Sequence, residues 1–168
     1  MSQENVERAA ALLRCPHGRA GDGPPDTSAR DTARAMSQEN VEIVREMTDR
    51  FAAGDRESWR EVFAEDLIWD TSATTLPQAG VYEGHSGLER FFIDWLGTWE
   101  NLRIEILDLI DAGDSVISIF RWTGRGKASG VETEATMFGV YDVKDRRITR
   151  YRQFETRAKA LEAAGLSE

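Results

Sequence analysis

The heptapeptide MSQENVE occurs twice, at residues 1–7 and 36–42, and only the second copy leads into sequence able to build a core. After Glu42 the chain continues through Ile43, Val44, Met47 and Phe51, an apolar stripe at helical spacing. After Glu7 it passes three alanines, Leu12 and Leu13, then enters a stretch rich in Gly and Pro around Cys15, Pro16, Gly21, Pro24 and Pro25. Two copies followed by divergence do not make a solenoid. Residues 1–35 hold three of the four prolines, the only Cys and one of the two His, but no aromatic residue; five Arg balance five acids. Such a segment buries too little to offset its ordering entropy. We expect 1–35 to be a largely disordered extension with a duplicated start, Met36 being the original initiator; the alternative is a short docking helix over 3–14.

The remaining residues, 36–168, contain every Trp, Phe and Tyr and the whole net charge of −9, set by 21 Lys+Arg against 30 Asp+Glu. That charge argues against nucleic acid or an anionic membrane as partner, because phosphate binding needs clustered cations. One Cys excludes an intrachain disulfide framework, and two His make a His-built metal site improbable on numbers alone; no metal and no cofactor are expected. No apolar run approaches the roughly 20 residues needed to span a bilayer. The acidic start and the short apolar stretch Ala9–Leu13 do not fit a signal peptide, so a cytoplasmic location is expected.

Along 36–168, Ser37 is a plausible N-cap for a helix whose Val41, Val44, Met47 and Phe51 share a face and which ends at Gly54. Asp55 can cap a second short helix with Trp59, Val62 and Phe63 inward. A short strand over 67–70 precedes a loop with Pro77 and Gly80. Ser86-Gly-Leu-Glu89 then has the form of a capping box, opening a third helix with Leu88, Phe91, Phe92, Trp95, Leu96 and Trp99 on a broad apolar face. Four strands follow, over 102–110, 115–123, 132–143 and 148–155, joined as hairpins, with a short helix over 157–164. The order predicts an α+β fold: a curved, mostly antiparallel sheet forming a cone closed by three N-terminal helices, with a short C-terminal helix. Apolar residues on both faces of 115–123 call for two apolar partners, the helices with an internal pocket on one side and a second subunit on the other.

Met36–Phe63, the YEGHSGL of 82–88, the DAGD of 111–114, the GRGKASGVE of 124–132 and the ALEAAGLSE of 160–168 together resemble the SnoaL-like branch of the nuclear transport factor 2-like superfamily. The resemblance covers essentially all of 36–168. It implies an α+β cone, usually homodimeric through the sheet. It says less about activity, since the superfamily includes polyketide cyclases, ketosteroid isomerases, dehydratases, epoxide hydrolases and pure binding modules. Members of this branch often carry His where Asp70 stands, Gly where Arg146 stands and Asp where Thr156 stands.

By that resemblance Asp70 ends a strand at the mouth of the cone. A carboxylate facing an aromatic pocket is desolvated and drawn toward proton transfer; the bland alternative is one satisfied by Thr71, Ser72 or loop amides. His85, beside a helix N-terminus, is favoured neutral and can relay a proton or orient Asp70, or else pin the 71–84 loop. Tyr82 can donate to a substrate oxygen or serve as a half-buried anchor. Trp95, Trp99, Phe120, Trp122 and Phe138 are the candidate walls of a substrate pocket, with plain core or a dimer contact as the alternatives. Glu134, Arg121 and Arg152 fall mid-strand, on a solvent face or paired in a pocket. The Gly124–Gly130 stretch lacks the strand-to-helix setting of a phosphate loop and reads as a hairpin end. The function expected is binding of a small apolar, oxygenated molecule, with cofactor-free isomerase, cyclase or dehydratase chemistry by Asp70, His85 and Tyr82. The alternative is a non-catalytic ligand-binding or protein-interaction dimer.

Overall fold

The computed structural model describes residues 27–55 and 57–167. The expected helix over 3–14 and most of the expected disordered extension lie outside the described residues. The second of the chain's two compact units, Asp31–Glu168, carries the fold discussed below.

Helix α1 spans Thr27–Ala52, so it starts upstream of Met36, and Ser37 is not its cap. Residues 27–35 offer Ala and Arg with no Gly or Pro, and a helix already nucleated extends through such sequence even when exposed. From residue 36 onward the helix is held to the sheet. The Ser37 hydroxyl donates to Asp111, Asn40 Nδ2 donates to Gly113 O at 3.1 Å, and Glu39 pairs with Arg146. Ile43, Val44 and Met47 are its buried residues. Gly54, at φ +74, ends the helix as expected.

The second helix of the sequence reading is one 3-10 turn, Ser58–Glu61. Asp55 does accept from Ser58, through backbone N–H (3.1 Å) and hydroxyl, and these bonds hold its carboxyl below the usual range. Phe63 belongs instead to β1, Phe63–Asp70. A short strand not foreseen, β2 (Val81–Glu83), pairs antiparallel with β1. Helix α2, Gly84–Thr98, follows without a break. Ser86 lies inside it and the capping box does not form: the cap position falls on Glu83, with no side-chain bond. Gly84 makes the sharp entry, at φ +67, where a Cβ would stand 3.2 Å from Glu65 O.

Strands β3 (Trp99–Ala112), β4 (Ser115–Gly126), β5 (Glu132–Lys144) and β6 (Arg147–Phe154) are successive antiparallel neighbours. Helix α3, Arg157–Ala163, closes the chain with Thr156 as its N-cap. The six-stranded sheet has the order β2-β1-β6-β5-β4-β3; β1 and β6 alone run parallel. It is the expected curled α+β cone, with α1, the 3-10 turn and α2 in place of three full helices.

The two faces of the sheet differ. Inward residues alternate as Val116, Ser118, Phe120 and Trp122 on β4, and Met137, Gly139 and Tyr141 on β5. They join the main core with Leu67 and Trp69 of β1 and Leu88, Phe91 and Trp95 of α2. The outer face carries a smaller cluster, Ile117 and Val140 covered by Ala160 and Leu161 of α3.

Candidate functional site

The aromatic spacing of α2 places Phe91, Phe92 and Trp95 on the helix face turned to the sheet, opposite Trp69 of β1 and Phe120 of β4. Between them lies a cavity of about 60 Å³, closed on the α1 side by Met47, Thr48 and Phe51. It shares Thr48, Phe51, Ile104 and Ile106 as walls with a larger open groove of about 730 Å³ between α1 and β3. Its floor is polar but uncharged: Tyr141, Tyr151 and Gln153. Among the described residues, no Asp, Glu, Lys, Arg or His is a wall of the cavity.

The floor results from register. A bulge between Asp142 and Val143 sets Tyr141 opposite Tyr151 and Gly139 opposite Gln153. The Tyr151 ring stacks on Trp69 at 3.8 Å between centroids, and its hydroxyl donates to Gln153 Oε1 at 3.2 Å. Ser118, wholly buried, sits against the Tyr141 phenol without a hydrogen bond of ordinary geometry. Burial pushes the Tyr141 phenol well above the usual range, against smaller opposing effects of Ser118 and Tyr151; burial, reinforced by Tyr141, pushes Tyr151 up as well. Both phenols therefore stay protonated at neutral pH, able to donate to an oxygen but unable to act as bases.

The expected catalytic residues lie elsewhere. Asp70, half-buried, takes the strand position alternate to inward-facing Trp69 and accepts from Ser72 N (3.0 Å) and Ser72 Oγ (2.6 Å). This is the satisfied carboxylate weighed as the alternative. His85 sits in the first turn of α2 with Nε2 3.0 Å from Phe63 O, a contact that requires the ring to donate and that ties α2 to β1. Tyr82 donates its hydroxyl to Gln78 O at 2.8 Å and packs its ring on Phe91. None of the three is a wall of the inner cavity.

Of the expected pocket walls, Trp95 and Phe120 line that cavity. Trp99 and Trp122, 4.8 Å apart between centroids, line a side cleft of about 540 Å³ between the 71–80 loop and the β4–β5 hairpin, with Leu76, Met137 and Lys127. Glu155 fastens that loop, accepting from Thr75 N at 2.7 Å and Thr75 Oγ1 at 2.6 Å, which lowers its pKa. Phe138 does not line the inner cavity: it packs against the outer cluster under α3, because its strand position alternates with the inward Met137. Of the mid-strand charges, Arg121 pairs with Glu105, with Glu134 nearby, and Arg152 with Asp142 (2.9 Å) and Ala163 O (2.9 Å).

A family model for the SnoaL-like domain matches residues 44–151. The chain belongs to the SnoaL-like family. Its solved structural relatives share the cone. Bal32a, from a soil-derived mobile gene cassette, is 23% identical, with TM-score 0.65 over 76% of this chain and 96% of that one. An NTF2-like protein of Burkholderia xenovorans is 24% identical, with TM-score 0.60 over 76% of this chain and 96% of that one. TerC, co-crystallised with polyporic acid, is 17% identical, with TM-score 0.61 over 76% and 98%. No curated protein matches the sequence. In this SnoaL-like domain no three His, Cys, Asp or Glu side chains among the described residues are gathered to hold a metal ion. No described helix is long and apolar enough to cross a membrane.

Proposed function

We propose that this protein binds a small, largely apolar, oxygenated molecule inside the cone. The observation that carries the reading is the inner cavity: aromatic walls from α2, β1 and β4 above a buried floor of neutral hydrogen-bonding groups. TerC, with the same fold, was co-crystallised with polyporic acid. Turnover is the second reading, favoured by the two protonated phenols. Tyr141 and Tyr151 are suited to hold an oxygen on which charge develops, the electrophilic half of isomerase, cyclase or dehydratase chemistry. The base in that reading is Asp70, assisted by His85 and Tyr82, and it requires Asp70 to leave Ser72 and all three side chains to turn toward the cavity when ligand binds. The outer face, with the apolar cluster of Ile117 and Val140 and the partly buried Phe138, Phe154 and Ile110 packed against it, suits a homodimer formed through the sheet.

The test is mass analysis of small molecules that co-purify with the full chain, repeated for Ile106→Trp, which fills the cavity, and for Asp70→Asn. Binding predicts a ligand on the parent and on Asp70→Asn but not on Ile106→Trp. Equal ligand content in all three removes the cavity as the site. Turnover of that ligand by the parent, abolished in Asp70→Asn, establishes the acid–base reading.

A further inference from the structure

The inner cavity measures about 60 Å³, whereas an apolar cavity of roughly 150 Å³ takes one benzene ring. A ligand of aromatic size therefore enters only if a wall moves, and the walls differ in what holds them. Phe91, Trp95, Trp69 and Tyr151 are each 5% exposed or less and are wedged between other rings. Phe92 is held among Trp59, Trp69, Phe91 and Trp95. Ile104 and Ile106 belong to a strand bonded along β4, so moving them breaks backbone hydrogen bonds. Phe51 is held least. It is half-buried in the last turn of α1, and among the described residues its only ring contact is with Phe92, at 5.0 Å between centroids. Its ring also has somewhere to go. Phe51 is the one described residue that lines three spaces at once: the inner cavity, the groove of about 730 Å³ between α1 and β3, and a further open groove of about 550 Å³ between the 3-10 turn and α2.

We infer that Phe51 is the gate of the inner cavity and sets the size of molecule it admits, an inference that rests on the ligand-binding reading above. With the ring on Phe92 the cavity is closed. With the ring turned into the groove between α1 and β3, cavity and groove become one space, because Thr48, Ile104 and Ile106 already wall both. The motion needs no shift of the whole helix: at its other end α1 is tied to the sheet, Ser37 to Asp111 and Asn40 to Gly113. It gives up one aromatic contact, whereas displacing Phe91 or Trp95 would open the main core. A gate that is mostly shut lowers the apparent affinity by the fraction of molecules that are open. The competing explanation is that Phe51 merely plugs the end of the core, so that its removal loosens the fold without changing how a ligand enters.

The probe is N-phenyl-1-naphthylamine, an uncharged aromatic molecule larger than the closed cavity, whose emission rises in apolar surroundings. Its binding to the full-length protein is followed by stopped-flow fluorescence and by equilibrium titration, in the parent, Phe51→Ala, Phe51→Leu and Ile106→Trp. In the parent the observed rate should level off as the probe concentration rises, because opening of the gate precedes binding. Phe51→Ala should abolish that plateau and tighten binding about tenfold, the gain expected when an open fraction of about one in ten becomes the whole population. Phe51→Leu, which keeps apolar bulk should α1 fray in the alanine variant, should lie between the two. Binding to the Phe51 variants alone also supports the gate, as one that stays shut to this probe. A parent rate that rises linearly throughout overturns the gate, and so does a plateau that both Phe51 variants keep, whatever their urea midpoints. Either result leaves the cavity reading standing when Ile106→Trp abolishes binding. Binding that Ile106→Trp leaves intact puts the probe outside the cavity and overturns both readings. Binding to none of the four proteins overturns both as well.

Discussion

The two faces of one sheet are built from the same strands yet obey different rules. On the outer face, aliphatic residues under α3 fill their space, and Arg121 and Arg152 each meet a carboxylate at or near the surface. On the inner face the packing is aromatic and charge-free, and a pair of phenols and unpartnered indoles are buried in it. The outer face looks finished as a structural surface. The inner one carries polar groups that folding alone does not need, since apolar side chains of similar shape would fill the same space without desolvation cost. Function is therefore sought on the inner face.

The contrast breaks first on core truncation. Phe91, 3% exposed, touches Trp69, Tyr82, Phe92 and Trp95, so Phe91→Ala should destabilise by about 3–5 kcal/mol. Leu161, 7% exposed on the short α3, can be partly replaced by movement of that helix, and Leu161→Ala should cost about 2 kcal/mol, the low end for such changes. Urea unfolding of both variants checks the order. Equal losses would mean that the outer cluster is as much a part of the cooperative core as the cone interior.

The next effect is local to the floor of the cavity. Gly139 lies opposite both Ser118 and Gln153, and a Cβ there would fall 2.5 Å from Tyr151 Cε2 and 2.8 Å from Ser118 Oγ. Gly139→Ala must therefore push Tyr151 off Trp69, at about 1–3 kcal/mol. The near-ultraviolet circular dichroism of the stacked pair should fall with it. Stability lost without a spectral change would show that the strand, rather than the ring, gives way.

Titration sharpens the same point. Tyr141 and Tyr151 have pKa values raised by burial, so an unfolded chain sheds their protons near the ordinary phenol value of about 10 while the folded chain retains them. Their contribution to stability is complete below that value and is lost as pH rises toward the folded pKa values. In Tyr82→Phe, which leaves these as the only phenols, phenolate absorbance should appear only together with alkaline unfolding. Ionisation well before unfolding would mean that water reaches the cavity floor.

The helical stripes, the four hairpin strands and the cone were legible in sequence because period and turn residues are local signals. The cavity floor was not. The turn at Asp145-Arg146 pairs Lys144 with Arg147, and continuing that register would set Tyr141 against Arg150; the bulge shifts it to Tyr151. No local pattern announces the extra residue, so the Tyr141–Tyr151 pair and Gln153 went unremarked. The surroundings of Asp70 were hidden for a related reason: its chemistry suits a base, but alternation from the buried Trp69 sets it beside Ser72, outside the walls of the inner cavity. Trp95 and Phe120, singled out for aromatic bulk alone, do line the inner cavity.

The smallest effect expected concerns the turn that starts that register. Asp145 and Arg146 have φ of +50 and +62, the left-handed pair of a two-residue hairpin turn. Arg146 there is strained, and its one compensation is an ion pair with Glu39 of α1 in which the Arg side chain is 73% exposed. An exposed pair contributes little, whereas glycine adopts positive φ without steric cost. Arg146→Gly should therefore raise stability, by about 0.5–1 kcal/mol, read as a shift in the urea midpoint at constant slope. Because the bulge, and not the turn, sets Tyr141 against Tyr151, the same variant should leave the alkaline titration of those phenols unchanged. A gain in stability accompanied by an altered titration would mean that turn and bulge are coupled, and that relaxing one end of the hairpin moves the floor of the cavity.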